Sequence, residues 1–177
     1  MNVPFVPVRG LLGTDYMKVR PDFKEIRNPY DPDEPIAIVP AIAPDVAVFH
    51  GYQGDRFGNV VASPATDSKL IVQASRRAVA TVEEIVEGDL SARPVKGALI
   101  PGIHVSAVVR ATRGAHPLSC RGRYDVDRDH LREYIAAAQS DGTFKHYLDH
   151  YVLGTRDHAE YLARAAAAPG VGVRAGA

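Results

Sequence analysis

Two hydrophobic periods divide the chain. The sharpest signal lies at residues 46–50, VAVFH, a short apolar run with Pro44 and Asp45 before it and the polar, glycine-rich stretch 51–59 after it. Such a run fits a strand covered on both faces, as in parallel sheets. Residues 36–39, 79–82, 95–100 and 105–109 give further strand candidates, with Val60 and Val61 pairing back as a short strand after a tight turn at 55–59. A helical period appears between them: Asp67 is a good N-cap for a helix over 68–78, with Leu70, Ile71, Ala74 and Ala78 on one face. Strand, helix, strand is a crossover unit that sets the strands at 46–50 and 79–82 parallel. The last third is helical. Asp127 caps a helix to about 139 with Leu131, Tyr134, Ile135 and Ala138 on one face, Gly142 breaks it, Phe144, Tyr147, Leu148 and Tyr151 mark a second, and Asp157 starts a third. The expectation is an α/β fold with a mainly parallel sheet flanked by helices and a helical C-terminal third. It forms one domain over 1–168, with a disordered tail at 169–177.

Residues 3–35 are interrupted by prolines and glycines. Residues 3–8 read as an edge strand, because Pro4 and Pro7 lack N–H donors. At 9–15, Gly10 and Gly13 flank Leu11 and Leu12, which reads either as a plain turn or as a ligand-facing loop with Arg9 and Asp15 at its ends. Residues 20–35 carry prolines at 21, 29, 32 and 35, which forbid a continuous helix; a long surface loop is expected there, of a length that often serves as a functional lid.

Charge and composition narrow the function. Basic and acidic residues balance at 21 each, which argues against nucleic-acid or membrane-surface binding driven by bulk charge. No apolar run approaches a membrane span, the N-terminus lacks a signal-peptide pattern, and a cytoplasmic protein is expected. The single cysteine, Cys120, excludes an internal disulfide and any cysteine cluster for a metal.

The candidate chemistry sits at strand ends, where ligands collect in open α/β folds. His50, Gly51, Asp55, Gly58 and Asn59 follow the strand at 46–50, and Glu83 and Glu84 end the strand at 79–82. The glutamates can be acid/base groups or substrate contacts; the plainer reading is that one caps a helix or pairs with an arginine such as Arg76 or Arg77. His50 is either a ligand contact or a satisfied histidine at the core's edge. His146 and His150 share a helix face, but no third metal ligand is fixed, so a solvated face is the reading taken. Cys120 with His116 nearby is a weak candidate nucleophile, since a lone cysteine is more often inert. The tail sequence GVGVRAG follows no strand and opens no helix, so it is no dinucleotide loop.

The blocks PFVPVRGLLGTD, PDVAVFHGYQGDRFGNV, DSKLIVQASRRAVATVEEIV, IPGIHVSAVV and GAHPLSCRGRYDVDRDHLREYI, in that order, resemble the α subunit of family I CoA-transferases, nearest to the glutaconate type. The likeness runs from about residue 4 to 154. It implies an α/β fold, a β-subunit partner in a heterodimer, and an active site at the interface of the two. It also implies ping-pong chemistry: a glutamate carboxylate attacks an acyl-CoA thioester, a glutamyl-CoA thioester forms, and a second carboxylic acid takes the CoA. In the glutaconate type that glutamate belongs to the β subunit, so no catalytic nucleophile is assigned to this chain. CoA is a substrate, and no cofactor or metal is expected. By the resemblance, Arg9, Gly10, Gly13, Asp15, His50, Gly51, Asp55, Gly58, Asn59 and Glu83 help shape the acyl or CoA pocket. Family α subunits carry a further stretch, with a glycine-rich loop, before the PF-x-P segment, so this chain is expected to be the C-terminal portion of such a subunit. Some relatives of similar appearance hydrolyse carbon–carbon bonds of cyclic acyl-CoAs in steroid breakdown, with an α-subunit glutamate that would lie upstream of Met1. A third possibility is a non-catalytic remnant that only binds a partner chain.

Overall fold

The computed structural model describes residues 3–167, and the tail expected to be disordered at 169–177 lies outside them. The chain divides into two compact units, Met1–Asp45 and Val46–Ala177.

The first unit is an antiparallel sheet. β1 (Phe5–Val8), β2 (Lys24–Asn28) and β3 (Asp31–Pro40) lie in the order β1-β3-β2, with a short helix α1 (Asp15–Val19) between β1 and β2. β1 is an edge strand, in keeping with Pro7 within it. The surface loop expected at 20–35 is instead built into a β2–β3 hairpin. Its prolines are tolerated because β1 covers only Ala37 to Pro40 of β3, so Pro32 and Pro35 sit where β3 has β2 alone as neighbour and one side needs no donor.

The second unit holds a five-stranded sheet and the helices. β4 (Val46–Asp55), β5 (Val60–Ala62), β6 (Arg77–Val86), β7 (Ala98–Ile100) and β8 (Ala107–Arg110) take the order β7-β5-β4-β6-β8. β4, β6 and β8 run parallel, while β5 and β7 run antiparallel to their neighbours. The class is α/β as expected, but the sheet is mixed. The two C-terminal strand candidates do not pair with each other; they lie at opposite edges.

β4 outruns its expected end by five residues, reaching Asp55. Gly51 and Gly54 look like loop residues but are packing positions. A Cβ on Gly51 would meet Val60 Cγ1 at 2.6 Å and the Val61 carbonyl at 3.0 Å. The core lies on one face, where Ala47, Phe49, Ala78, Ala80 and Val82 meet Val60, Ala62, Ile100 and Val72 of α2 (Ser68–Ala74). The expectation of cover on both faces fails: Val46 and Val48, on the other face, are 51% and 69% exposed. α2 is also shorter than expected and buries only Val72, because β6 takes up Arg77 and Ala78 in register with Val46 and Ala47.

The last third forms α3 (Arg128–Ala137), α4 (Asp141–Leu148) and α5 (His158–Ala167), with a π-helical turn at Asp149–Leu153 between α4 and α5. Asp127 caps α3 by accepting from the His130 N–H at 2.9 Å. The break before α4 is at Ser140, its N-cap. Gly142 lies in the first turn, where backbone N–H groups are unpaired in any case. The buried residue of α3 is not apolar: Tyr134 and Ile135 are exposed, while His130 is enclosed by the rings of Tyr151, His116 and Tyr147.

Candidate functional site

Parallel pairing brings the carboxyl ends of β4, β6 and β8 to one edge of the second unit. His50 leaves β4 there beside Thr81 and Glu83 of β6, and the segment after β8, residues 111–127, folds over them without regular structure. At the centre is Glu83, buried at 7% exposure. Its Oε1 accepts from His50 Nε2 and from the Tyr124 hydroxyl, each at 2.7 Å, and its Oε2 accepts the Arg113 N–H at 2.8 Å. Burial works to raise its pKa, but these donors together hold it below the ordinary carboxylate range, so Glu83 is ionised. Nε2 is then the donor of His50, and its Nδ1 lies 2.9 Å from Thr81 Oγ1. Gly114 leaves room for the imidazole, since a Cβ there would stand 2.8 Å from His50 Cε1.

Cys120, Glu83 and His50 bring their ligating atoms within 4.8 Å of one another. Burial and the Glu83 charge raise the Cys120 thiol, so it stays protonated at neutral pH and is no activated nucleophile. His116, considered as its base from the sequence, is engaged elsewhere: Nε2 donates to Asp127 Oδ2 at 3.0 Å, and the Tyr161 hydroxyl lies 2.7 Å from Nδ1. Burial and then the Glu83 hydrogen bond push the Tyr124 phenol well above its usual range, so it remains a donor. Glu84 accepts from Gln53 at 2.6 Å and pairs with an arginine at 2.7 Å, Arg123 of the segment after β8.

The other residues expected at this edge form a clamp. Asp55 Oδ1 accepts the N–H groups of Phe57 and Asn59, and Oδ2 accepts Asn59 Nδ2 and the Leu90 N–H. Asn59 Oδ1 accepts the Gly102 N–H, and Gly58, at φ +84°, makes the turn possible. Burial opposes the Asp55 charge, and the four donors more than offset it, holding its pKa below the ordinary value. Asp55, Gly58 and Asn59 thus tie the β4–β5 turn to residues 89–90 and 102. Asp55 and Gly58 also border an open cleft of about 480 Å³ with Ile85 and Val108. Gly51 lies within β4. In the first unit, Gly10 and Gly13 hold φ values of +86° and +78°; Arg9 pairs with Glu34 at 2.8 Å, and Asp15 with Lys18 at 2.8 Å. His146 and His150 border a separate pocket beside Tyr147 and Glu133.

Sequence reasoning missed Thr81, Arg113, Tyr124, His130 and the place of Cys120 beside Glu83. The signal that points to most of them is the irregular segment 111–127, long for a connection in a compact unit.

Residues 2–111 match the coenzyme A transferase family. The chain is 36% identical over 166 residues to one of the subunits of 3-oxoadipate CoA-transferase from Pseudomonas knackmussii, covering 93% of this chain and 58% of that protein. It superimposes on the crystal structure of the Acidaminococcus fermentans glutaconate coenzyme A-transferase with a TM-score of 0.85 and 31% identity, covering 93% of this chain and 57% of that one. It is 28% identical over 172 residues to the cholesterol ring-cleaving hydrolase IpdA subunit of Mycobacterium tuberculosis, covering 92% of this chain and 58% of that protein. The chain therefore spans little more than half the length of these relatives.

Proposed function

The chain belongs to the coenzyme A transferase family, and we propose that it serves in the α subunit of an enzyme moving CoA between an acyl-CoA and a carboxylic acid. A β subunit is the partner, in a heterodimer in the cytoplasm, and it carries the glutamate that forms the glutamyl-CoA thioester. The observation that carries this reading is the close superposition on glutaconate coenzyme A-transferase along nearly the whole chain. The state of Glu83 supports placing the nucleophile elsewhere. A buried carboxylate with three of its roughly four lone-pair sites already accepting hydrogen bonds is a weakened attacking group. Glu83 and His50 instead make a fixed polar wall, with CoA as substrate and no cofactor invoked.

A second reading is favoured by the likeness to the ring-cleaving hydrolase subunit. Such an enzyme consumes water and needs no acceptor acid, which separates the two. The test is to isolate the chain with its partner from its source and identify the complex by native mass spectrometry. The complex is then incubated with acyl-CoA, with and without an acceptor acid. A CoA adduct on the partner, discharged only by the acid, is expected. Acid-independent opening of a cyclic acyl-CoA would establish the hydrolase instead, and a chain isolated alone would overturn both.

A further inference from the structure

The segment 111–127 delivers a thiol to the buried end of β6. Cys120 and Tyr124 face each other across a tight turn: the Cys120 N–H donates to the Tyr124 carbonyl at 3.1 Å, and the Tyr124 N–H donates back to the Cys120 carbonyl at 3.0 Å. The turn leaves Cys120 only 4% exposed. A thiol, an imidazole nitrogen and a carboxylate oxygen, one each from Cys120, His50 and Glu83, thus converge from a loop and two neighbouring strands to within 4.8 Å of one another. His50 is the least buried of the three, so the cluster lies just beneath the surface.

Two of these groups are oriented from behind. The Arg113 N–H holds Glu83 Oε2 at 2.8 Å, which leaves Oε1 toward His50 Nε2 at 2.7 Å. Thr81 Oγ1 lies 2.9 Å from His50 Nδ1, where it can accept from that nitrogen as outer-shell groups do behind metal-bound imidazoles. A proton now bridges His50 and Glu83, and a divalent cation can replace it. The imidazole then carries its proton on Nδ1, against Thr81, and the Cys120 thiol gives its proton to solvent. Burial and Glu83 keep that thiol protonated in the free chain, but a bound cation deprotonates a coordinating thiol outright. One thiolate and one carboxylate balance the two positive charges, so no net charge is buried. The adjustment required is small. Ligands at about 2.0–2.1 Å from a tetrahedral ion stand roughly 3.3 Å apart, so the His50–Glu83 pair opens by about 0.6 Å. Thiolate with imidazole favours zinc-like ions over magnesium or calcium, and three protein ligands leave the fourth position to water.

We propose that His50, Glu83 and Cys120 bind one divalent ion of the zinc class, which ties the segment 111–127 to β4 and β6. The site does not depend on the CoA-transferase reading. The test uses the full chain, freed of metal with a chelator and titrated with cobalt(II), a coloured substitute for zinc. A thiolate-to-cobalt charge-transfer band should grow to one ion per chain, and zinc(II) should abolish it. Cys120 is the single cysteine, so the band reports that ligand in the wild type without any variant. His50→Gln should weaken cobalt binding at least about 100-fold and Thr81→Val about tenfold. Replacing both His146 and His150 with Gln should leave the band unchanged, since that pair borders a separate pocket and is the rival site. Zinc at about 100 times its dissociation constant should raise the urea midpoint of the wild type and not that of Cys120→Ser. Absence of the charge-transfer band at saturating cobalt would overturn the proposal. So would full cobalt affinity in His50→Gln, or one ion shared between two chains.

Discussion

At the scale of single residues, the second unit turns on Glu83. Its donors come from His50, Arg113 and Tyr124, which are 33, 30 and 41 residues away in sequence. Replacing Glu83 with Gln puts an amide NH2 against at least one donor, so Glu83→Gln should lower stability by roughly 1–3 kcal/mol, read from urea unfolding. Arg123→Gln, which breaks an ion pair between half-exposed side chains, should change it by less than about 1 kcal/mol. The two carboxylates are neighbours in sequence and differ in what surrounds them. The pH dependence follows from the direction of the Glu83 shift. Its folded pKa lies below the ordinary glutamate value of 4.5, so the unfolded chain binds the proton more readily. Glu83 therefore contributes stability that is complete above about pH 5 and is lost as pH falls through the folded pKa. Stability should decline below pH 5 in the wild type and decline less steeply in Glu83→Gln. It will still decline, because Asp55 and Asp127 are held low in the same sense. A variant curve parallel to the wild type would show that folding does not lower the Glu83 pKa. The sequence singled out Glu83 and His50 because each ends an apolar run. It could not pair them, since their partnership exists only once β4 and β6 lie side by side in the register His50 to Thr81.

At the scale of elements, periodicity revealed what was amphipathic or continuously apolar and misread what was glycine- or proline-rich. The start of β4, β5, the run of β6 and the caps of α3 and α5 were legible, Asp157 accepting the Glu160 N–H at 2.9 Å. The second half of β4 was not, because Gly51 and Gly54 carry a loop signature in composition and a packing role in space. Residues 20–35 failed for a related reason: proline forbids a helix outright but forbids a strand only where a donor is needed. The α3 face was read from its apolar residues, whereas the buried position is His130, held by Tyr147 at 2.8 Å and enclosed by aromatic rings that a hydropathy pattern does not weigh. The glycine reading is testable. Gly51→Ala forces a methyl group into Val60 and the Val61 carbonyl, and a backbone atom cannot rotate away. A loss of about 1–3 kcal/mol is expected, measured as a fall in the urea midpoint with the slope unchanged. A neutral or stabilising result would show that β4 and β5 are not paired as described.

At the scale of the whole chain, one face of the second unit's sheet is covered only near the carboxyl ends of its strands, by the segment 111–127. The core face carries Ala47, Phe49, Ala80 and Val82, while the opposite face presents Val46, Val48 and Val109 at half exposure or more. Sheets with parallel strands are ordinarily covered on both faces, and exposed apolar patches of this kind mark surfaces that associate. The chain should therefore self-associate when purified alone, with an apparent mass that rises with concentration in sedimentation experiments. Val48→Lys and Val109→Lys should each reduce that association. Neither should lower the midpoint of thermal unfolding appreciably, because a side chain already in water loses little when it becomes polar. This separates a docking face from a core position: a lysine at Ala47 or Val82 on the core face would unfold the sheet instead of freeing it. If association were unchanged by both lysines, the apolar face would not be what the chain buries. If either lysine collapsed stability, that face would already be covered within the folded chain.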